Sequence, residues 1–264
     1  MTIKNLIDDL ERTITVSENT VDTVKAGDAE REVKKVAVAM FASIDTIRAA
    51  AAWGADFLIV HEPTYYNHRD DPFDDPIADR KKQLLKETGL TVYRYHDHPH
   101  AKETDMIAEG FFATLGLRGK TEKTPYFGSY RFTCETPVTA LSLAEQAEKA
   151  LGIAHIRICG TRDAACTKLV SCLGTPGGVF DLLRSPDTEI VVTGEACEWM
   201  LGEYARDAAA LGNSKTLLIL GHFGSELAGM KLLAQRLERD YPTLAVRYFD
   251  NGEVYTYTDT KKQI

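Results

Sequence analysis

Long apolar runs are missing from this sequence. No stretch approaches the length a helix needs to cross a bilayer, so a membrane-spanning protein is not expected. Positive charge is also in short supply: 31 Lys and Arg stand against 39 Asp and Glu, a net charge of −8. That balance leaves no basic field to neutralise a phosphate backbone and argues against nucleic-acid binding, although a metal or a helix N-terminus could still hold a small anion locally. Cysteine is sparse. Cys134, Cys159, Cys166, Cys172 and Cys197 are odd in number, form no C-x-x-C pair and follow no export signal, so they are expected to be reduced thiols and not a zinc finger. The opening MTIKNLIDDLERT sets Ile3, Leu6, Ile7 and Leu10 on one helical stripe with charges between them, which reads as an amphipathic docking helix. A cytoplasmic location with no membrane partner is the expectation. Short repeats and low-complexity segments are absent as well.

What is present is a globular composition, 44% hydrophobic over 264 residues, enough for one large or two ordinary domains. Apolar strand patterns alternate with amphipathic helix patterns along the chain. Val33 to Met40 reads as a strand, Ser43 to Trp53 as a helix capped by Ser43 and stopped at Gly54, and Asp56 to Val60 as a strand buried on both faces. After a loop from Thr64 to Pro76 come a helix, Ile77 to Thr88, a strand from Thr91 and a helix, Ile107 to Leu117. Gly119 to Pro125 reads as a connection between domains. Strands then follow at Tyr126 to Glu135, Ile156 to Cys159, Leu169 to Leu173, Ile190 to Thr193, Thr216 to Leu220 and Ala245 to Phe249. Helices are expected at Ser142 to Leu151, Val179 to Arg184, from Glu195 to Leu211, and at Ser225 to Tyr241. This order predicts an α/β protein with mixed or mostly parallel sheets. The expected domains are 1–124 and 125–213, with 214–264 able to pack back onto the first.

In such sheets ligands gather beyond the carboxyl ends of strands, and the histidines sit there. Strand 56–60 runs into His61-Glu62-Pro63, strand 91–95 into His96-Asp97-His98-Pro99-His100, and strand 216–220 into Gly221-His222. If the chain stays extended through the second of these, His96, His98 and His100 point to one side. Glu226 follows His222 by four residues, which puts a carboxylate and an imidazole on one helical face. Mixed imidazole and carboxylate ligands suit Zn, Mn, Fe, Co or Ni. A carboxylate outside the ligand set, Glu195 or Asp97, could act as general base.

These segments resemble the Nif-three-like dinuclear-metal family, often labelled GTP cyclohydrolase type two. The similarity lies in REVKKVAVAM, GADFLIVHEP, YHDHPHA, ALGIAHIRICG, VVTGE and, most specifically, GHFGSELAGMKLLAQRLERDYP. The chain matches the short form, without a central insertion. The resemblance implies two α/β domains with a metal site in the cleft between them, and a toroidal homo-hexamer. Carried over by position, His61, His96, His222 and Glu226 match family ligands. Two positions depart from the family pattern. Glu62 stands where a second histidine is usual, and His100 where the family has a bridging aspartate. A neutral imidazole offers one lone pair and cannot bridge two cations, so a site of one or two ions is expected. The expected metal ligands are therefore His61, Glu62, His96, His98, His100, His222 and Glu226, with Glu62, His96 and Glu195 as catalytic groups. The implied activity is metal-dependent hydrolysis of a small polar substrate such as a nucleotide or C–N heterocycle. The alternative is a non-enzymatic metal-binding or partner-binding protein.

Overall fold

A computed structural model describes residues 1–71 and 73–258. Helix α1 (Ile3–Glu11) opens the chain with Thr2 as its cap, and buries Ile3, Leu6 and Ile7. A short strand β1 (Val24–Ala26) precedes β2 (Lys35–Ala39). Helix α2 (Ile44–Trp53) starts where the Ser43 hydroxyl accepts the Thr46 N–H, and ends at Gly54 with φ of 80°, a left-handed geometry that favours glycine. Strand β3 (Phe57–Val60) is buried throughout. Helix α3 (Pro76–Thr88) has Asp75 as N-cap, proline in its first turn and left-handed Gly89 after its end. Strand β4 (Thr91–Arg94), a single helical turn α4 (Asp97–Ala101) and α5 (Met106–Leu115) follow.

The segment expected to connect domains is itself a strand, β5 (Gly119–Lys123), which pairs with β6 (Ser129–Val138) in an antiparallel hairpin. Every β5 residue is exposed, so its GKTEK sequence carries no alternation of apolar and polar positions to mark it. Then come α6 (Ala140–Leu151), β7 (Arg157–Gly160), β8 (Cys166–Cys172), α7 (Val179–Arg184) and β9 (Ile190–Thr193). The helix expected from Glu195 begins as a π-helical turn, Glu198–Gly202, before α8 (Glu203–Ala210). Strand β10 (Thr216–Ile219), α9 (His222–Asp240) and β11 (Ala245–Tyr248) complete the order.

The chain forms two compact units, Met1–Gly110 with Leu227–Asn251, and Phe111–Glu226 with the described residues from Gly252 onward. The first unit carries a sheet ordered β1-β4-β3-β2-β11. Four of its strands are parallel, and β1 runs antiparallel along one edge. Ala37, Ile47, Leu58, Leu85 and Val92 belong to its buried core. The second unit carries a sheet ordered β5-β6-β8-β9-β10-β7, in which β8, β9 and β10 are parallel and the other pairings antiparallel. Val170, Leu183, Val191, Leu217 and Ala205 are buried in its core. The fold is therefore mixed α/β with two sheets, as the alternation of patterns predicted. All five cysteines are free thiols. Among the described residues, no helix is long and apolar enough to cross a membrane.

Candidate metal centre

In the first unit, β3 and β4 are parallel neighbours, so both carboxyl ends open on the same side and deliver His61 and the 96–100 segment together. That segment is not extended. Asp22 accepts the backbone N–H groups of His96 (2.8 Å), Asp97 (2.9 Å) and His98 (2.9 Å), and this carboxylate winds the chain into α4. Pro99 falls inside the first turn, where a missing N–H removes no helical hydrogen bond. The expectation that His96, His98 and His100 share one side is thereby corrected. In a helical turn, residues four apart share a face and a residue two along points elsewhere. His96 and His100 stay together, with ring centroids 5.1 Å apart. His98 turns away, donates from Nδ1 to Asp22 Oδ2 at 2.7 Å and stacks on Tyr95 at 6.2 Å.

His61 joins the pair. Its ring lies 4.6 Å from that of His96 and 5.2 Å from that of His100, and ligand atoms of the three fall within 4.8 Å of one another. Each ring has its Nδ1 committed. His61 Nδ1 meets the Tyr95 carbonyl at 3.0 Å, His96 Nδ1 meets Asp97 Oδ1 at 2.9 Å, and His100 Nδ1 meets Asp105 Oδ2 at 2.7 Å. Carbonyl and carboxylate oxygens accept, so Nδ1 carries the proton in all three, and Nε2 is the nitrogen with a lone pair. Burial, reinforced by the neighbouring His96 and His100, pushes the His61 pKa well below the ordinary histidine value, so this ring is neutral near neutral pH.

Around these rings lie groups that sequence reading missed. Asp105 caps α5, accepting the N–H groups of Ile107 (2.7 Å) and Ala108 (3.1 Å) while holding His100. Burial opposes its ionisation, but His100 and the two backbone donors prevail and hold its carboxyl below the usual range. Arg94 is fully buried; its Nε donates to the His61 carbonyl at 3.0 Å, and its guanidinium also reaches the His68 carbonyl and lies 3.8 Å from Glu62 Oε2. Glu62 is buried beside it. His68 presents its ring edge to His96 at 5.8 Å but stands outside the group of three. Asp105 carried a usable signal, an acidic residue directly before an apolar helical run. Asp22 carried none, since its partners lie far along the chain.

The second unit brings His222, Glu226 and Glu195 together. Parallel β9 and β10 end side by side, Glu195 follows one and His222 the other. Gly221 has φ of 80°, which turns the chain into α9 and puts His222 and Glu226 one turn apart on it. Glu195 Oε1 accepts from His222 Nδ1 at 2.7 Å, leaving the Nε2 lone pair directed at Glu226 Oε2, 3.3 Å away. Two lone-pair atoms at that distance attract only if a positive charge, a proton or a cation, is shared between them. Gly174 makes room for the pair: a Cβ there would sit 2.5 Å from Glu226 Oε1 and 3.3 Å from His222 Nε2. Its N–H donates to Ser225 Oγ at 2.9 Å, and its carbonyl accepts the Glu195 N–H at 3.0 Å. His155, packed on Tyr257 at 4.1 Å, plays no part in this arrangement.

The donor set of the first unit could hold a metal ion, with three imidazoles oriented by acceptors on their far side and ligand atoms within 4.8 Å of one another, while the second unit offers two potential ligands, His222 and Glu226. The profile of DUF34/NIF3, NGG1p interacting factor 3, matches residues 1–251. The chain belongs to the DUF34/NIF3 family. Among curated relatives, a protein named GTP cyclohydrolase 1 type 2 homolog from Yersinia pestis is 25% identical over 228 residues, 84% of this chain and 86% of the relative. A protein of the same name from Chlamydia pneumoniae is 27% identical over 249 residues, covering 88% and 90%. The structure of protein ybgI, titled as of unknown function, superposes with a TM-score of 0.78 at 22% identity, over 96% of this chain and 99% of that one. That likeness establishes a shared fold.

Proposed function

We propose that this protein is a divalent-metal-dependent hydrolase acting on a small polar molecule, of the nucleotide or C–N heterocycle class. His61, Glu62, His96, His100, His222 and Glu226 supply the ligands for one or two ions of Zn, Mn, Fe, Co or Ni. His98, turned toward Asp22, is left out of the set. What carries the reading is the convergence of three histidine rings, each with Nδ1 anchored on an acceptor, so that their lone pairs come within 4.8 Å of one another. The name borne by the curated relatives points to the same reaction class.

A bound ion supplies Lewis acidity and a water of lowered pKa. The chain's own groups do the rest. Tyr95, Asp97 and Asp105 fix the tautomer and aim of the three rings, and Glu195 does the same for His222. The Glu195 side chain is 56% exposed, so it can take a proton from a water and return it to a leaving group. Glu62, buried against the Arg94 guanidinium, suits a ligand better than a proton carrier, and the base role passes to Glu195. His96, partly exposed, is placed to touch a substrate.

The test is metal analysis of protein purified without added ions, paired with a hydrolysis screen of heterocyclic amides, nucleotides and phosphoesters. His222→Ala and Glu226→Ala are expected to stay folded and to lose both metal and turnover. Full turnover after chelation would refute the reading, and tight metal binding with no turnover on any substrate would favour a binding protein instead.

A further inference from the structure

Beside Glu195 the second unit contains a hollow of about 540 Å³. Its walls are the loop around Pro176, the start of α7 with Val179 and Phe180, and the π-helical turn with Met200 and Leu201. π-helical turns are uncommon and recur at functional sites, because the wider turn re-aims side chains. Here the turn contributes two of the apolar wall residues. The loop is shaped for this role as well. Gly178 has φ of 77°, and a Cβ there would lie 2.2 Å from a Tyr126 ring carbon, so a residue without a side chain lets the loop fold down against Tyr126. Tyr126 is pinned in turn by its hydroxyl, which donates to Asp181 Oδ2 at 2.7 Å.

The chemistry of the lining is one-sided. It has carboxylates, Glu195 and Asp181, and no Lys, Arg or His. Asp181 is already matched by Tyr126 and by Arg184 at 2.8 Å, so its charge is largely spoken for. Glu195 is the acid that links the hollow to the His222 pair. A triphosphate or other polyanion placed here would meet like charge and no donor cluster. A flat apolar body with an N–H-bearing or cationic group would find an apolar wall and an acceptor.

We infer that this hollow is the substrate's recognition pocket, and that it takes a planar, neutral or cationic nitrogen compound whose N–H group faces Glu195. The inference rests on the hydrolase reading above and narrows it: the nucleotide alternative is discarded in favour of an uncharged or cationic heterocycle, amidine or aromatic amide. The body of the ligand lies between Phe180 and Met200, and its reacting bond is directed past Glu195 toward His222.

Cys197 lines the hollow and reports its occupancy, while Cys159, similarly half-buried, lies outside the lining and serves as control. Benzamidine and inorganic tripolyphosphate are the probes, tested on the full chain with alkylation by iodoacetamide followed by mass spectrometry. At about ten times its Kd, measured by ligand-observed NMR, benzamidine is expected to slow Cys197 alkylation about tenfold, as the unliganded fraction falls, and to leave Cys159 unchanged. Thr175→Trp at the exposed rim and Ala196→Leu within the wall should each abolish protection without altering metal content. No protection by benzamidine, equal protection of Cys159, or protection by tripolyphosphate at least as strong would overturn the inference. Metal content, measured on the same samples, separates the two readings. A failed pocket with metal bound leaves the hydrolase site standing, and benzamidine protection in protein that binds no metal removes the metal reading alone.

Discussion

Replacing Asp22 tests the geometry of the histidine turn directly. Its carboxylate accepts four hydrogen bonds at 2.7–2.9 Å, three from the backbone of residues 96–98 and one from the His98 ring. Bonds to a charged acceptor contribute about 1.5–3 kcal/mol each, but they are not additive when they share one group, and water will enter to satisfy some of the stranded donors. Asp22→Ala should therefore destabilise the fold by about 3–5 kcal/mol, the range for breaking a buried charged network. Asp22→Asn keeps one acceptor oxygen but turns an NH₂ toward N–H donors, and about half that loss is expected. Urea unfolding followed by circular dichroism reads both values. Because the same bonds aim His96 and His100, metal affinity should fall about 10–100-fold in the asparagine variant, the usual effect of removing a group behind a ligand. An asparagine variant within about 0.5 kcal/mol of the parent, holding metal with unchanged affinity, would refute the account of how α4 is made.

Gly174→Ala forces a Cβ into Glu226 and strains a backbone with φ of 65°. A loss of about 2–4 kcal/mol and weaker metal binding are expected, read by thermal unfolding and metal titration. His98→Ala should lower stability through Asp22 yet leave metal content unchanged, whereas His100→Ala should reduce it; elemental analysis separates them. Lys81 is buried, donates to the Thr64 carbonyl at 2.7 Å and lies over the Tyr66 ring at 4.2 Å, and burial pushes its pKa down to about 8. At this group the unfolded chain then binds more protons between that value and the ordinary 10.5, so the contribution of Lys81 to stability rises as pH climbs through this window. The gain is about 2–3 kcal/mol. Denaturant titrations of wild type and Lys81→Met check it: the stability of wild type relative to the variant should grow by that amount across the window, and a constant difference would refute it.

The alternation of elements was legible because local chemistry marks it. Ser43 and Gly54 bracket α2, Asp75 and Gly89 bracket α3, and Thr139 and Gly152 bracket α6, while FLIV of β3 is apolar at every position. The placement of His61, His222, Glu195 and Glu226 followed from strand ends and helical spacing. The histidine turn was not legible. Pro99 suits the edge of a strand and the first turn of a helix equally well, and the deciding carboxylate, Asp22, lies 74–76 residues away in sequence. Periodicity measures only near neighbours, so it could not tell that two of the three histidines would pair and the third turn aside. Strand β5 was missed for a related reason, since an exposed edge held by one partner strand needs no apolar face.

Strand β1 is three residues long and, among the described residues, pairs only with β4, at Val24 with Tyr93 and Ala26 with Val92. Asp22 stands two residues before it. Peeling that short ribbon from the sheet would therefore withdraw the clamp beneath His96 and His100 in the same motion. The lifetime of any ion held there should track the fraying rate of the ribbon, so lengthening or stiffening it would slow exchange without touching a single coordinating atom.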